Sequence, residues 1–414
     1  MRVHHLELES LKERYTEMSN DTFNVMVKHR GHTLIEYPRP SSGQVKTGKV
    51  LDANETIIGQ SVQMESVAGV FSRGGAANGD VFFTSDFWHH NACSIPYMAM
   101  LNNLDIQFFA WAHAGSYTTG DFMQPAVQWG AHLFELAFLT MYTGIFVGTE
   151  YHKNKILDER VPENLRKEYA KKIFVTGNLF STEYVKHTRQ GSNYQTDTIK
   201  PLKGKELQVI WPHRFDDEKN PDAMLDIMDF VMFYHPTVKL VICTSRDKLY
   251  NPEPVSIKSS KLERMVSRYS DRIIIKKGID KSVYYDLLAK SKIFLSTTLE
   301  ENFGYCLVEA MSLGCHPIVV NDFSHPEIVQ YNREFLYDTY DDAAFKILNA
   351  LNEEEVDPVV YGYAKKYDKS AYKMVKIMEI LNGNKFNYDE CHSWLNEYVS
   401  PIPQLGRLEH NDVY

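Results

Sequence analysis

Long apolar runs are missing from this 414-residue sequence: no stretch reaches the roughly 20 residues that span a bilayer, which excludes a transmembrane helix. Cysteine is scarce. The five (Cys93, Cys243, Cys306, Cys315, Cys391) are odd in number and contain no C-x-x-C pair, so they read as reduced thiols of a cytoplasmic protein, not as a disulfide framework or a zinc cluster. A basic excess is also missing, because the formal net charge is −9 and residues 1–200 hold 19 Lys+Arg against 21 Asp+Glu, which leaves most of the acid beyond them. That argues against a surface that grips nucleic acid everywhere and leaves room for a local basic face. Glu7 and Glu9 fall where a signal peptide needs its apolar core, so secretion is not expected. No internal repeat or low-complexity tract is present.

What is present suits a soluble globular chain of two domains, with 43% hydrophobic and 24% charged residues. Val3 to Leu8, a helical stretch from Leu11 to His29, and a strand from Thr33 to Tyr37 closed by Pro38 and Pro40 begin a doubly wound sheet. Residues 41–80 are rich in Gly, Ser and Asn and read as loops around one or two short elements. Buried strands then start at Val81, Ile106, Gly144 and Ile173. A polar, aperiodic linker from Lys186 to Lys205 separates a first domain, 1–195, from a second, 206–385. The second domain opens on a strand, Leu207 to Trp211, and continues with strands near 238–244 and 272–278. Helices are expected at about 342–355 and 370–382, and the segment from Tyr388 to Val399 follows.

The chemistry concentrates at residues 294–327. An apolar, β-branched run, Phe294 to Thr298, ends at an acidic loop, and Phe303-Gly304 opens an apolar helix pattern closing near Gly314. Gly304 removes a Cβ where a ligand approaches the backbone, and the free N–H groups of the first turn suit a phosphate. Glu301 and Glu309 are eight residues apart, one in the loop and one inside the helix, where carboxylates can reach sugar or ribose hydroxyls. Arg214 and Lys219 bracket the loop after the strand Leu207 to Trp211, where a guanidinium fork and an ammonium can meet a diphosphate. Among three acidic neighbours they also fit a solvated salt-bridge cluster. His113 ends the strand Ile106 to Ala112 beside Gly115 and Ser116, an active-site composition that equally suits a loop histidine satisfied by backbone.

Glu301 and Glu309 with Asn302, Phe303 and Gly304 between them, followed by Ala310, Met311, Gly314 and Pro317, resemble the signature of the retaining glycosyltransferases of family 4. The resemblance implies an α/β chain of the GT-B fold, two Rossmann-like doubly wound domains facing a cleft, with the C-terminal residues 386–414 returning as a helix to the first domain. It implies a nucleoside diphosphate sugar, UDP- or GDP-linked, as donor, no permanently bound cofactor and no required metal. On this view Arg214, Lys219 and the helix start at Phe303, Gly304 and Tyr305 hold the diphosphate. Glu309 takes the ribose, Glu301 with Asn302 the donor sugar, Lys277 and Gly278 border the base, and His113 faces the sugar from the other domain. Glu300 competes with Glu301, but only Glu301 has the required spacing. The family's Gly-Gly loop after the first strand is replaced by residues 7–11, and Gly74, Gly75 and Gly79 are the candidate substitutes. The adjacent pairs Asp216-Asp217 and Asp341-Asp342 follow no D-x-D pattern and read as solvated faces.

Within that family, the run from Val209 to Pro221 and the segment Gly314 to Pro317 are similar to the tRNA-queuosine mannosyltransferase group, and the opening His4 to Glu9 resembles glycosyltransferases of bacterial viruses that decorate hydroxymethylated DNA bases. Both imply DNA or tRNA as acceptor, with Phe87, Trp88, Trp111, Tyr117 and Phe122 as candidates to stack on a displaced base. A glycan or small-molecule acceptor stands beside this reading, as does a non-catalytic nucleotide-sugar binder.

Overall fold

The structure, a computed structural model, describes residues 1–11, 15–40, 53–119, 124–189, 204–244, 257–354, 357–384 and 387–398. Two six-stranded sheets organise them. The first contains β1 (Arg2–Leu6), β2 (Thr33–Tyr37), β3 (Val81–Thr84), β4 (Gln107–Trp111), β5 (Gly144–Val147) and β6 (Ile173–Val175), in the order β2-β1-β3-β4-β5-β6. The second contains β7 (Glu206–Trp211), β8 (Lys239–Cys243), β9 (Ile273–Lys276), β10 (Ser291–Ser296), β11 (His316–Val320) and β12 (Leu336–Tyr337), in the order β12-β11-β10-β7-β8-β9. Every pairing in both sheets is parallel. Each sheet therefore has a point where the strand order reverses, between β1 and β3 and between β7 and β10, and ligands of open α/β sheets bind beyond the carboxyl ends there. This is the α/β, GT-B architecture.

The central strands carry short apolar runs because helices cover both faces. On β3 and β4, Phe82 and Phe108 enter one core while Val81, Phe83, Phe109 and Trp111 enter the other. In the second sheet Val209, Leu240 and Ile293 face one way and Ile210, Val241 and Phe294 the other. Two helices from the far end of the chain, Ser370–Gly383 and Tyr388–Tyr398, supply part of the first sheet's cover: Met374, Ile377, Met378, Leu381, Cys391 and Leu395 share a core with Val3, Phe23 and Phe83. Glu379 fastens that cover by accepting from Arg30 Nη2 (2.8 Å) and pairing with His32 Nε2 (2.7 Å). The chain has thus crossed back by Ser370, one helix ahead of the segment expected to return.

Several local expectations change. Residues 53–72 form one helix of 20 residues, Ala53–Ser72, where loops were expected. Gly59 within it is a packing residue: a Cβ there would stand 2.8 Å from Arg39 Cγ and 2.9 Å from the Pro40 carbonyl oxygen. A further helix, Pro358–Lys365, precedes the crossing. Gly74 and Gly75 terminate the helix Ala53–Ser72 through bonds to the Phe71 and Val70 carbonyls (3.0 and 2.8 Å), and Gly79 leads into the amino end of β3. All three lie at the edge of the sheet opposite the strand carboxyl ends, so they cannot replace a phosphate loop after β1. Phe87, Trp88, Trp111 and Tyr117 are 0–7% exposed and belong to the cores, which removes them as a stacking surface. Phe122, most of the expected linker and everything from residue 399 lie outside the described residues.

Truncating a side chain that joins the returning helix to the first sheet tests this arrangement. Ile377→Ala, at a position with 0% exposure, is expected to remove about 2–4 kcal/mol. Urea unfolding should show a lower midpoint at unchanged slope, and an unchanged midpoint would detach this helix from the core.

Candidate active site

The loops after β7 and β10 diverge at the switch point of the second sheet and are bonded to each other there. Thr297 Oγ1 donates to the Lys219 carbonyl (2.9 Å), Thr298 Oγ1 to the Glu218 carbonyl (3.1 Å), and the Leu299 N–H to the same Glu218 oxygen (2.8 Å). This brings Arg214 and Lys219 beside Glu301. Lys219 Nζ lies 3.2 Å from Glu301 Oε2 and 2.7 Å from Glu218 Oε1, while Arg214 reaches Glu218 (2.9 Å) and Asp216 (3.2 Å). The cation pair and the salt-bridge cluster that the sequence leaves open are therefore one structure. Burial alone would raise the Glu301 carboxyl, but the Lys219 ammonium outweighs it and brings it down to about 2. Burial likewise opposes the charge on Lys219, which Glu301 and Glu218 hold above the ordinary lysine range.

Gly304 sits at φ +78° and caps the helix Tyr305–Ser312. Other residues pay for that left-handed conformation and glycine does not. The first turn of this helix directly follows the loop that carries Glu301. Glu309, one turn in, is 4% exposed and accepts from Tyr285 OH (2.8 Å) and Tyr284 OH (2.9 Å), with Lys281 Nζ at 3.7 Å. A carboxylate offers about four lone-pair sites, so it keeps capacity for a diol beside the two phenols. Lys277 and Gly278 follow β9 at the sheet's outer edge, exposed and two strands from β7.

The same loop spans the gap between the two sheets. Asn302 Nδ2 donates to the His113 carbonyl and to Thr118 Oγ1, both at 3.2 Å, and Thr149 Oγ1 donates to the Asn302 carbonyl (2.7 Å). Phe303 packs on Gly148, where a Cβ would come within 2.8 Å of the ring. Tyr305 stacks on Tyr15 with centroids 4.3 Å apart and donates to the Leu179 carbonyl (3.1 Å). The side chains of Phe303 and Tyr305 are thus contacts between the halves, and only their backbone is available to a ligand. Glu300 has a similar use: it pairs with Lys155 and accepts from Tyr151 OH (2.7 Å), so it is engaged across the interface and is not open to a sugar. Glu327 completes the contact by accepting from the Glu150 and Tyr151 N–H groups (2.7 and 3.4 Å), capping the helix Glu150–Arg160 of the other half.

His113 follows β4, donates from Nε2 to the Ser85 carbonyl (2.7 Å) and lies against Trp111. Asn302 binds its backbone, so the two halves of the site meet at this residue. Glu218 is one of the three acidic neighbours seen in the sequence, and the structure singles it out as the bridge between both cations. The Tyr284–Tyr285 pair around Glu309 was missed, because a partner that arrives from a different element leaves no spacing signal. Among the described residues no group of three or more His, Cys, Asp or Glu side chains is arranged to hold a metal ion.

Residues 195–374 match the family described as Glycosyl transferases group 1. A tRNA-queuosine alpha-mannosyltransferase of Drosophila melanogaster is 24% identical over 215 residues, which is 50% of this chain and 54% of that protein, so the chain spans about half the length of this relative. Among solved structures, the catalytic domain of starch synthase IV from Arabidopsis thaliana, bound to ADP and acarbose, superposes with a TM-score of 0.59 at 10% identity, covering 92% of this chain and 99% of that one. A sucrose-phosphate synthase from Thermosynechococcus elongatus gives 0.57 at 13% identity, covering 96% and 98%. The paired sheets and their switch-point loops thus share the GT-B fold with these structures, and residues 195–374, most of the second domain, are similar to the group 1 glycosyl transferases.

Proposed function

We propose that the chain transfers a sugar from a UDP- or GDP-linked donor to an acceptor hydroxyl, with retention of anomeric configuration. The observation that supports this best is the placement of Arg214, Lys219, Glu301 and the Gly304 helix start around one switch point, with His113 of the other sheet bonded to the same loop. The leaving diphosphate gains negative charge as the glycosidic bond breaks. Arg214 would exchange Glu218 and Asp216 for phosphate oxygens, Lys219 would follow, and the first-turn N–H groups would complete the cradle. In this reading those groups carry the charge a divalent ion would otherwise meet. Glu301 orients the sugar ring and Glu309 binds the ribose. The acceptor's proton passes to a donor phosphate oxygen as the acceptor oxygen bonds the anomeric carbon, so the chain supplies no nucleophile.

For the acceptor, the partial similarity to a tRNA-queuosine mannosyltransferase supports a hydroxyl on a modified nucleobase of tRNA or DNA. The net charge of −9 and the buried aromatics favour the second reading, a glycan or small molecule. Treating hydroxymethylated DNA and bulk tRNA with the protein and donor, then digesting each to nucleosides for mass spectrometry, separates them. Addition of a sugar to either supports the first, and addition to neither removes it.

Incubation with UDP- and GDP-sugars should release the nucleoside diphosphate. Arg214→Ala, Lys219→Ala and Glu301→Ala are each expected to lower kcat/KM by about 10²–10³, and full activity in all three would sink this site. No release with any donor and acceptor would leave only a binding protein.

The Glu301 carboxyl also makes a stability prediction. Its folded value, about 2, lies below the ordinary glutamate value of 4.5. The stabilisation is therefore fully present above pH 4.5 and lost as pH falls towards 2. Wild type should exceed Glu301→Gln by roughly 2 kcal/mol above pH 5, and chemical denaturation should show that difference shrinking across this window.

A further inference from the structure

The loops of three neighbouring strands converge on Glu301. β10, whose loop carries Glu301, lies between β7 and β11. His213 follows β7 and His325 follows β11, so the two histidines flank the Glu301 loop on both sides. The Ser324 N–H donates to the Glu301 carbonyl (3.2 Å), which fixes the His325 turn to that loop.

Each ring is more than nine-tenths buried, at 7% and 1% exposure, and each has a nitrogen with no partner among the described residues, Nε2 of His213 and Nδ1 of His325. Asn302 Oδ1, in the same loop at 6% exposure, is a third such atom. A buried polar atom without a partner destabilises the fold that carries it. The two imidazoles that flank one carboxylate are unexplained by the fold itself, since His213 packs on Trp211 and Phe294, contacts an apolar side chain could make as well.

The charge state narrows the ligand. Burial pushes His213 down to about 3 and His325 to about 4, so neither is cationic near neutrality. Neutral imidazoles add nothing to the hold on a diphosphate that Arg214 and Lys219 provide, but they suit hydroxyls. The His325 ring is bonded to the Val320 backbone, and a carbonyl there takes the ring N–H. Its Nδ1 is then an acceptor that requires a hydroxyl donor. Glu301 is an acceptor too, so the group is complementary to a polyhydroxylated ring.

We propose that His213 and His325 contact hydroxyls of the transferred sugar, gripping it from both sides of Glu301, while the diphosphate is held separately by Arg214 and Lys219. The inference rests on the donor reading above.

Calorimetric titration of the full chain with UDP, GDP, UDP-glucose and GDP-mannose tests it, using His213→Leu and His325→Leu. Leucine fills similar volume and removes the unpaired nitrogen, so urea stability should be unchanged or higher. Affinity for the bound nucleotide sugar should fall about five- to tenfold, the weight of one hydrogen bond, while affinity for the free nucleoside diphosphate stays within twofold. His325→Asn, which restores an acceptor, should recover part of the loss. Equal losses for nucleotide and nucleotide sugar, or none for either, would overturn the assignment, as would a stability loss accompanied by parallel weakening of both ligands. Failure of the wild type to bind any of the four would instead overturn the donor reading, before any variant is compared.

Discussion

The contact between Lys219 and Glu301 decides how the second sheet is used. A parallel sheet whose order reverses between β7 and β10 splays the following loops apart, and their exposed backbone would be free to move. Here a largely buried ammonium and a carboxylate 3.2 Å apart, with the threonine bonds beside them, lock the loops together. Three carboxylates, Asp216, Glu218 and Glu301, surround two cations. The local balance is one negative charge. Glu218, shared by Arg214 and Lys219, is the carboxylate that ties the two cations to each other.

From that pair the organisation runs outward in both directions. Towards the first sheet, the residues just after Glu301 become the interface: Asn302 bonds the His113 backbone, Phe303 fills the space left by Gly148, and Tyr305 stacks on Tyr15. Away from it, the helix opened by Gly304 carries Glu309 into its tyrosine cage. One segment therefore sets the distance between the sheets, the direction of the helix start and the position of both acids. A change in its conformation would be felt by all three together.

Much of this was legible in the sequence because it is local. The apolar strand ending at an acidic loop, the glycine at the helix start and the interval between Glu301 and Glu309 are all set within one supersecondary unit. The parallel sheets followed from runs such as Val81 to Phe83 and Ile293 to Leu295, which stay apolar at every position because both faces are covered. The misreadings came from elsewhere. Gly59 and Gly69 disguised the helix Ala53–Ser72 as loop, although Gly59 marks a close approach to Arg39. Phe87 and Trp88 have the composition of a binding surface whether they face a cleft or a core, and only the packing against Phe138 shows that they face the core.

The histidines beside Glu301 stayed illegible for the same physical reason. A donor site for a charged diphosphate must place cations and a helix start in a fixed order, and order leaves a trace in sequence. Recognition of a neutral hydroxyl needs only single hydrogen-bonding atoms contributed from separate loops. His213, Glu301 and His325 are brought together by the lateral order of β7, β10 and β11, which differs from their order along the chain. Their convergence is a property of the sheet, and so is the contact of Asn302 with His113 from the other domain. A group assembled within one strand–loop–helix unit is thus written along the chain, while a group assembled from neighbouring strands is written across it.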